Sequence, residues 1–274
     1  MQRLAPGKPS YRRFDHLGLE TCVYRGPLPP MPMHAHAQVQ LTLYAGGPRR
    51  FDIARQSFTG DTRTSVIIQS GEPHGSVAVA DEETALRTFY IDEKMMEEAA
   101  ASIWQRGGTV AFRDPRLTDP STVALLHAAH RSLQEGGLEG EVAFCAALEQ
   151  LVGRHAAPTG ASRTLARSDS RMEQVRDLLV QRVAENVRLD DLAQAADVSR
   201  FHLIRLFRQR YGVTPFAYQR NLRVERVRDA LRYGESLADA AADFGFADQS
   251  HLGRAFRAVM GATPGQYRQS FLRK

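Results

Sequence analysis

Residues 242–268 read ADFGFADQSHLGRAFRAVMGATPGQYR. In this stretch Leu252, Ala255 and Phe256 keep helical spacing and face inward, while Gln249, Ser250, His251, Gly253, Arg254 and Arg257 stay available on the other side. Gly245 marks a turn before that helix, Asp248 suits its N-cap, and Gly261 suits its end. The same pattern stands upstream. Residues 189–220, LDDLAQAADVSRFHLIRLFRQRYGVTPFAYQR, repeat as residues 237–269, LADAAADFGFADQSHLGRAFRAVMGATPGQYRQ. Leu203, Arg205, Phe207, Arg208, Gly212, Thr214, Pro215 and Tyr218 recur 49 residues later as Leu252, Arg254, Phe256, Arg257, Gly261, Thr263, Pro264 and Tyr267. Leu189, Asp191, Ala193 and Val198 recur at an offset of 48 as Leu237, Asp239, Ala241 and Phe246. The copies therefore differ by one residue in the turn or at the start of the following helix.

Each copy reads as a short helix, a tight turn and a second helix, the arrangement that places a recognition helix in the DNA major groove. In the first copy Leu189, Leu192, Ala193 and Ala196 form the apolar stripe, Asp190 and Asp191 suit a helix N-terminus, and Ser199 suits an N-cap. The next helix buries Leu203, Leu206 and Phe207 and leaves Arg200, Ile204, Arg205 and Arg208 outside. Arg pairs bidentately with guanine, Gln with adenine, and Ser or His reaches phosphates or base edges. One helix-turn-helix pattern is weak evidence; two in tandem with the same Gly, Thr-Pro and aromatic exit are strong.

From about Met172 to Arg268 the chain resembles the DNA-binding domain of AraC/XylS-type transcription regulators, whose signature spans the second unit quoted above. The resemblance implies seven helices, with one long helix over about Phe216 to Arg232 holding the two units so that both recognition helices reach successive major grooves. By position it implies a DNA-contacting set of Arg200, Phe201, Ile204 and Arg205 in the first unit and Gln249, Ser250, His251 and Arg254 in the second. Arg208 and Arg257 are better placed for phosphates. Phe201 is as well suited to packing as to contact, and Ile204 departs from the long polar residue often found there. Arg205 and Arg254 carry the most weight because they recur facing outward.

Charge agrees with this placement. The net charge is +5, but residues 170–274 hold 18 Arg/Lys against 12 Asp/Glu while residues 1–169 hold 18 against 19. The basic residues of the C-terminal part are nearly all arginine, which suits phosphate and guanine recognition. Two cysteines, Cys22 and Cys145, are too few for a disulfide framework and lack metal spacing. No stretch is apolar over the roughly 20 residues that span a membrane, and the first residues lack the apolar run of a secretory signal. A cytoplasmic protein with no membrane partner is expected.

Residues 155–169, HAAPTGASRTLARSD, read as a linker between a domain at 1–154 and one at 170–274. From about Tyr24 to Asp92, short β-rich runs are broken by Gly, Pro and Asp, as in a small sandwich or barrel. Helical spacing follows at about 92–104, 121–133 and 139–154. Its apolar positions include Val123, Leu126, Ala129 and Leu133, then Val142, Cys145, Leu148 and Val152, with Gly136-Gly137 as the turn. The resemblance implies a cupin-like (jelly-roll) effector barrel here, followed by helices that pair two subunits.

Residues 29–44, PPMPMHAHAQVQLTLY, hold His34, His36, Gln38 and Gln40 at strand spacing, which would turn all four side chains to one face. Cupins hold metals with a His-x-His pair, a nearby acid or Gln, and a later His after a Gly-rich turn; His34, His36, Gln40 and His74 of Gly71-Glu72-Pro73-His74 match that layout. Gln40 stands for the usual glutamate and Gln69 for a usual proline. A polar effector pocket including Gln38 and Tyr44, a divalent-metal site and plain structure all fit these residues; no cofactor is required. The expected function is a sequence-specific transcription regulator, not an enzyme, reading promoter DNA as a homodimer under a small-molecule effector, and meeting RNA polymerase if it activates. The alternatives are a metal-dependent cupin enzyme with an appended nucleic-acid-binding domain, and an architectural DNA binder.

Overall fold

A computed structural model describes residues 7–53, 56–79, 83–104, 109–159 and 168–272. Its strands are β1 (Ser10–Phe14), β2 (Leu19–Gly26), β3 (Met31–His34), β4 (Val39–Gly46), β5 (Arg49–Ile53), β6 (Gln56–Gly60), β7 (Ser65–Ile68), β8 (His74–Ala78) and β9 (Thr84–Ile91). Helix α1 (Glu93–Trp104), strands β10 (Thr109–Phe112) and β11 (Arg116–Leu117), helices α2 (Pro120–Glu135) and α3 (Leu138–His155), and strand β12 (Ala156–Thr159) follow. The remaining helices are α4 (Ser168–Gln181), α5 (Leu189–Ala195), α6 (Arg200–Tyr211), α7 (Pro215–Arg232), α8 (Leu237–Asp243), α9 (Gln249–Met260) and α10 (Pro264–Leu272). Contacts divide the chain into two compact units, residues 1–30, 37–70 and 76–161, and residues 31–36, 71–75 and 162–274.

In the first unit β1-β2-β9-β4-β7-β11 form one sheet; β3-β8-β5-β6 form a second, and β10 pairs with β12. Strand β4 shows how alternation divides the core. Val39, Leu41 and Leu43 pack with Phe89, Ile91 and the buried residues of α1, α2 and α3, whereas Tyr44 packs with Phe51, Ile53, Val66 and Ile68. The helices thus cover one face of the large sheet.

Three sequence expectations need correction in this unit. The segment expected as a linker begins as strand β12, held by antiparallel pairing with β10; residues 160–167 lie outside the described residues. On α3 the buried stripe is Phe144, Ala147, Leu148, Leu151 and Val152, whereas Val142 and Cys145 are exposed. An apolar residue at helical spacing is not obliged to point inward when two faces of the helix carry apolar residues. The single strand expected through His34, His36, Gln38 and Gln40 is broken: β3 ends at His34 and β4 starts at Val39. Ala35 and Ala37 supply little of the β-branched surface that favours a continuous strand.

The second unit holds seven helices, α4 to α10, among the described residues. The repeated residues explain its local geometry. Ser199 accepts a hydrogen bond from the His202 amide and Asp248 from the His251 amide, so α6 and α9 each start on a side-chain cap. Both end on a left-handed glycine, Gly212 at φ 70° and Gly261 at φ 69°. Thr214 and Thr263 then cap α7 and α10, with Pro215 and Pro264 at their first positions, where a missing N–H costs nothing.

The turns between paired helices also correspond. Gly245 has φ 73°, and its counterpart Asp197 holds φ 50°. The offset changes after this point, because Val198 alone separates the turn residue from the Ser199 cap while Phe246 and Ala247 precede Asp248. Ala247 is therefore the extra residue. Helix α7 packs against α4, α6, α8, α9 and α10.

Candidate nucleic-acid interface and a histidine cluster

Helices α6 and α9 each bury one stripe and leave the other open. On α6 Leu203 and Phe207 are fully buried, Leu206 and Ile204 are half-buried, and Arg200, Arg205 and Arg208 are exposed. On α9 Leu252, Ala255 and Phe256 are buried, and Gln249, Ser250, Arg254 and Arg257 are exposed. Arg205 and Arg254 therefore stand at equivalent outward positions of two equally capped helices, an arrangement that presents guanidinium forks to a groove.

Two members of the expected set, Arg200 and His251, are placed differently from a free base reader. Arg200 is paired with Asp190 at the start of α5, which lowers the Asp190 pKa. His251 is half-buried; its Nδ1 accepts from the Ala247 amide at 3.4 Å and its ring packs edge-on against Phe246 at 5.3 Å. The Phe201 side chain lies outside the described residues.

Residues of α7 that sequence inspection passed over fix the turns. The Arg223 guanidinium, 8% exposed, donates from Nε to the Val183 carbonyl at 2.7 Å, from Nη2 to Glu185 at 2.8 Å and from Nη1 to Gly245 at 2.6 Å. Gln219 donates its amide to the carbonyls of Arg182 and Glu185 at 3.0 and 2.9 Å. Together they join the segment after α4 to the turn before α9. In the sequence both look like ordinary polar positions of a long helix; their partners are too distant in the chain for periodicity to reveal.

A second constellation lies at the histidines. His34, His36 and His74 are all buried, at 2%, 8% and 3% exposure, and one ring nitrogen from each lies within 4.8 Å of the others. Ring centroids are 4.2 Å apart for His34 and His74, 4.8 Å for His36 and His74 and 6.0 Å for His34 and His36. The Gly71 amide donates to the His36 carbonyl at 2.8 Å, with Gly71 at φ 69°, tying the two segments together. Burial, then the neighbouring His36, lowers the His34 pKa to about 4; burial, then His34 and His36, lowers that of His74 well below its ordinary value. Both rings are neutral near pH 7.

The two glutamines and Tyr44 are engaged elsewhere. Gln38 donates to Asp92 at 2.7 Å and Gln40 to the Thr42 hydroxyl at 3.0 Å. The buried Tyr44 packs in the smaller apolar cluster, and its hydroxyl lacks a hydrogen-bond partner. Burial raises its pKa, so it stays protonated. Gln69, at the usual proline position, accepts from the Phe112 amide at 3.1 Å.

Two tandem helix-turn-helix units with matched outward arginines define a DNA-binding protein with a separate β-rich N-terminal part. Comparison with known proteins agrees. Residues 16–170 match the AraC-like ligand binding domain and residues 192–270 a helix-turn-helix domain. The chain belongs to the AraC family of transcription regulators, with a ligand-binding domain and a DNA-binding helix-turn-helix domain. It is 27% identical over 239 residues to the HTH-type transcriptional regulator YbfI of Bacillus subtilis (strain 168), covering 86% of each chain. It is 33% identical over 106 residues to the HTH-type transcriptional activator RhaS of Enterobacter sp. (strain 638), covering 38% of each. The fold is similar to that of ToxT from Vibrio cholerae O395, with a TM-score of 0.59 at 14% identity, covering 94% of this chain and 99% of that one. No helix among the described residues is long and apolar enough to cross a membrane.

Proposed function

We propose that α6 and α9 read two adjacent major-groove segments of promoter DNA, with Arg205 and Arg254 as the principal base readers. Gln249 and Ser250 assist them, and Arg208 and Arg257 hold phosphates. The observation that carries this reading is the equivalence of the two helices: same cap, same terminal glycine, same outward arginine. Helix α7, packed against helices of both helix-turn-helix repeats, sets the separation of α6 and α9. Arg200 contributes less, since Asp190 holds its guanidinium.

A small-molecule effector bound by the N-terminal domain biases the equilibrium between DNA-binding arrangements. The face of α3 bearing Leu138 and Val142, 75% and 60% exposed, supports pairing of two subunits. The activator name of RhaS favours activation through RNA polymerase. We read the chain as a regulator and not an enzyme, because a relative matched along most of its length carries a regulator's name. Genome-wide footprinting of the full chain tests this: discrete protected promoter sites are expected, and uniform occupancy without preferred sites would overturn it.

A further inference from the structure

We propose that a cavity between α1 and β10 binds a small organic amine, with its ammonium held by Glu93 and Glu97 and its carbon body resting on Val39, Met96 and Val110. The cavity has a volume of about 150 Å³, roughly that of engineered protein cavities that admit benzene. Val39 and Met96 are buried and Val110 is half-buried, so the floor is apolar. Among the described residues the cavity shares none of its lining with the apolar cluster of Tyr44, Phe51, Ile53, Val66 and Ile68.

The rim selects a cationic donor. Glu93 and Glu97 stand one helical turn apart on α1 and both line the cavity. Like charges at this spacing repel, and a cation between them relieves the repulsion. Lys94, the basic residue between them in sequence, is drawn instead to Glu98 at 3.7 Å. Ser70 gives its hydroxyl proton to the Ala37 carbonyl at 2.7 Å, so its Oγ offers the cavity lone pairs only. No lysine, arginine or histidine lines the cavity among the described residues. An anion would face two carboxylates here, whereas an ammonium finds two carboxylates and a hydroxyl oxygen. The apolar floor favours a carbon body over a bare ion, because only the former covers Met96 and Val39.

The same cavity touches the strand that anchors the end of the first unit. Val110 and Ala111, both in the lining, pair with Pro158 and Ala157 of β12. A two-stranded pair is marginally stable by itself, and β12 is the last strand before the helices of the second unit. An amine seated on β10 therefore stabilises the pair from which the chain passes to the DNA-binding helices. This assigns a chemical class to the effector. Its effect on DNA binding rests on the proposed regulatory function; amine binding itself stands apart from it.

The test uses the full chain without DNA, with benzylamine as the probe and benzyl alcohol as its neutral counterpart. Benzylamine should bind saturably and raise the melting temperature with concentration. It should shift the amide resonances of α1 and β10 and slow amide hydrogen exchange in β10 and β12. Benzyl alcohol should bind at least tenfold more weakly. Glu93 and Glu97 are exposed, so the double variant Glu93→Gln, Glu97→Gln should keep its fold, checked by far-UV circular dichroism. It should lose roughly tenfold or more in benzylamine affinity, as expected for lost hydrogen bonds to charged groups. No saturable benzylamine binding by the wild type, equal affinity for benzyl alcohol, or resonance shifts confined outside α1 and β10 would each overturn the proposal. Undiminished affinity in the folded double variant would overturn it as well. Operator affinity measured with and without saturating benzylamine reads the regulatory link separately: no change there would overturn the effector assignment and leave amine binding standing.

Discussion

Arg223→Met removes one buried guanidinium and three hydrogen bonds; the Gly245 carbonyl loses its donor, while those of Val183 and Glu185 keep Gln219 alone among side chains. Hydrogen bonds from a charged group contribute about 1.5–3 kcal/mol each, and abandoned acceptors carry a desolvation cost. Methionine recovers some packing along the side-chain stem, so a net loss of ~3–5 kcal/mol is expected for the second unit. Arg223→Lys keeps the charge but offers one nitrogen in place of three, and should fall between the two. Urea melts followed by circular dichroism measure the loss. Because Gly245 precedes the Asp248 cap, the turn that sets α9 loosens as well, so DNA affinity should fall more than in a variant of equal stability altered elsewhere. A loss below about 1 kcal/mol, or equal stability of the Met and Lys variants, would refute the account of Arg223 as the clamp between the segment after α4 and the turn before α9.

The two turns should respond oppositely to a change at matched positions. A Cβ on Gly245 would stand 2.3 Å from the Ala184 carbonyl oxygen, in a left-handed backbone, so Gly245→Ala should cost ~2–4 kcal/mol in a urea melt. Asp197→Gly should stay within about 1 kcal/mol of wild type, because glycine's freedom in the left-handed region offsets its greater entropy loss. His130 is fully buried, and burial, then Arg87, lowers its pKa to about 3. The unfolded chain takes up a proton near pH 6.5 that the folded chain refuses, so stability falls as pH drops from about 6.5 towards 3. His34 and His74 act in the same direction; His130→Leu should therefore reduce, not abolish, that slope, by up to ~1.4 kcal/mol per pH unit. An unchanged slope in a folded variant would contradict this.

The helical unit was legible because its signals are local and repeated. Gly212 and Gly261, Thr214-Pro215 and Thr263-Pro264, and Ser199 and Asp248 act within a few residues of where they stand, so sequence alone places their turns and caps. Arg223 and the pairing of Arg200 with Asp190 depend on partners brought together by folding, and no spacing reports them. In the N-terminal part the strand-rich run and the three helices were visible, but alternation from His34 to Gln40 assumed an extended backbone that ends at His34. His34, His36 and His74 still converge because the Gly71 turn joins their segments, whereas Gln38 turns to Asp92. On α3 the exposure of Val142 is a property of packing geometry, invisible to apolar periodicity.

The central claim is that two equivalent helices read DNA, and selection from random duplexes by the full chain tests it most directly. Wild type should enrich a motif of two blocks about one helical turn apart, with affinity falling steeply as salt rises. Arg205→Ala should relax base preference in one block and Arg254→Ala in the other, each weakening the selected site by about 5- to 150-fold. No enriched motif, or variants that keep both blocks at wild-type affinity, would contradict the account.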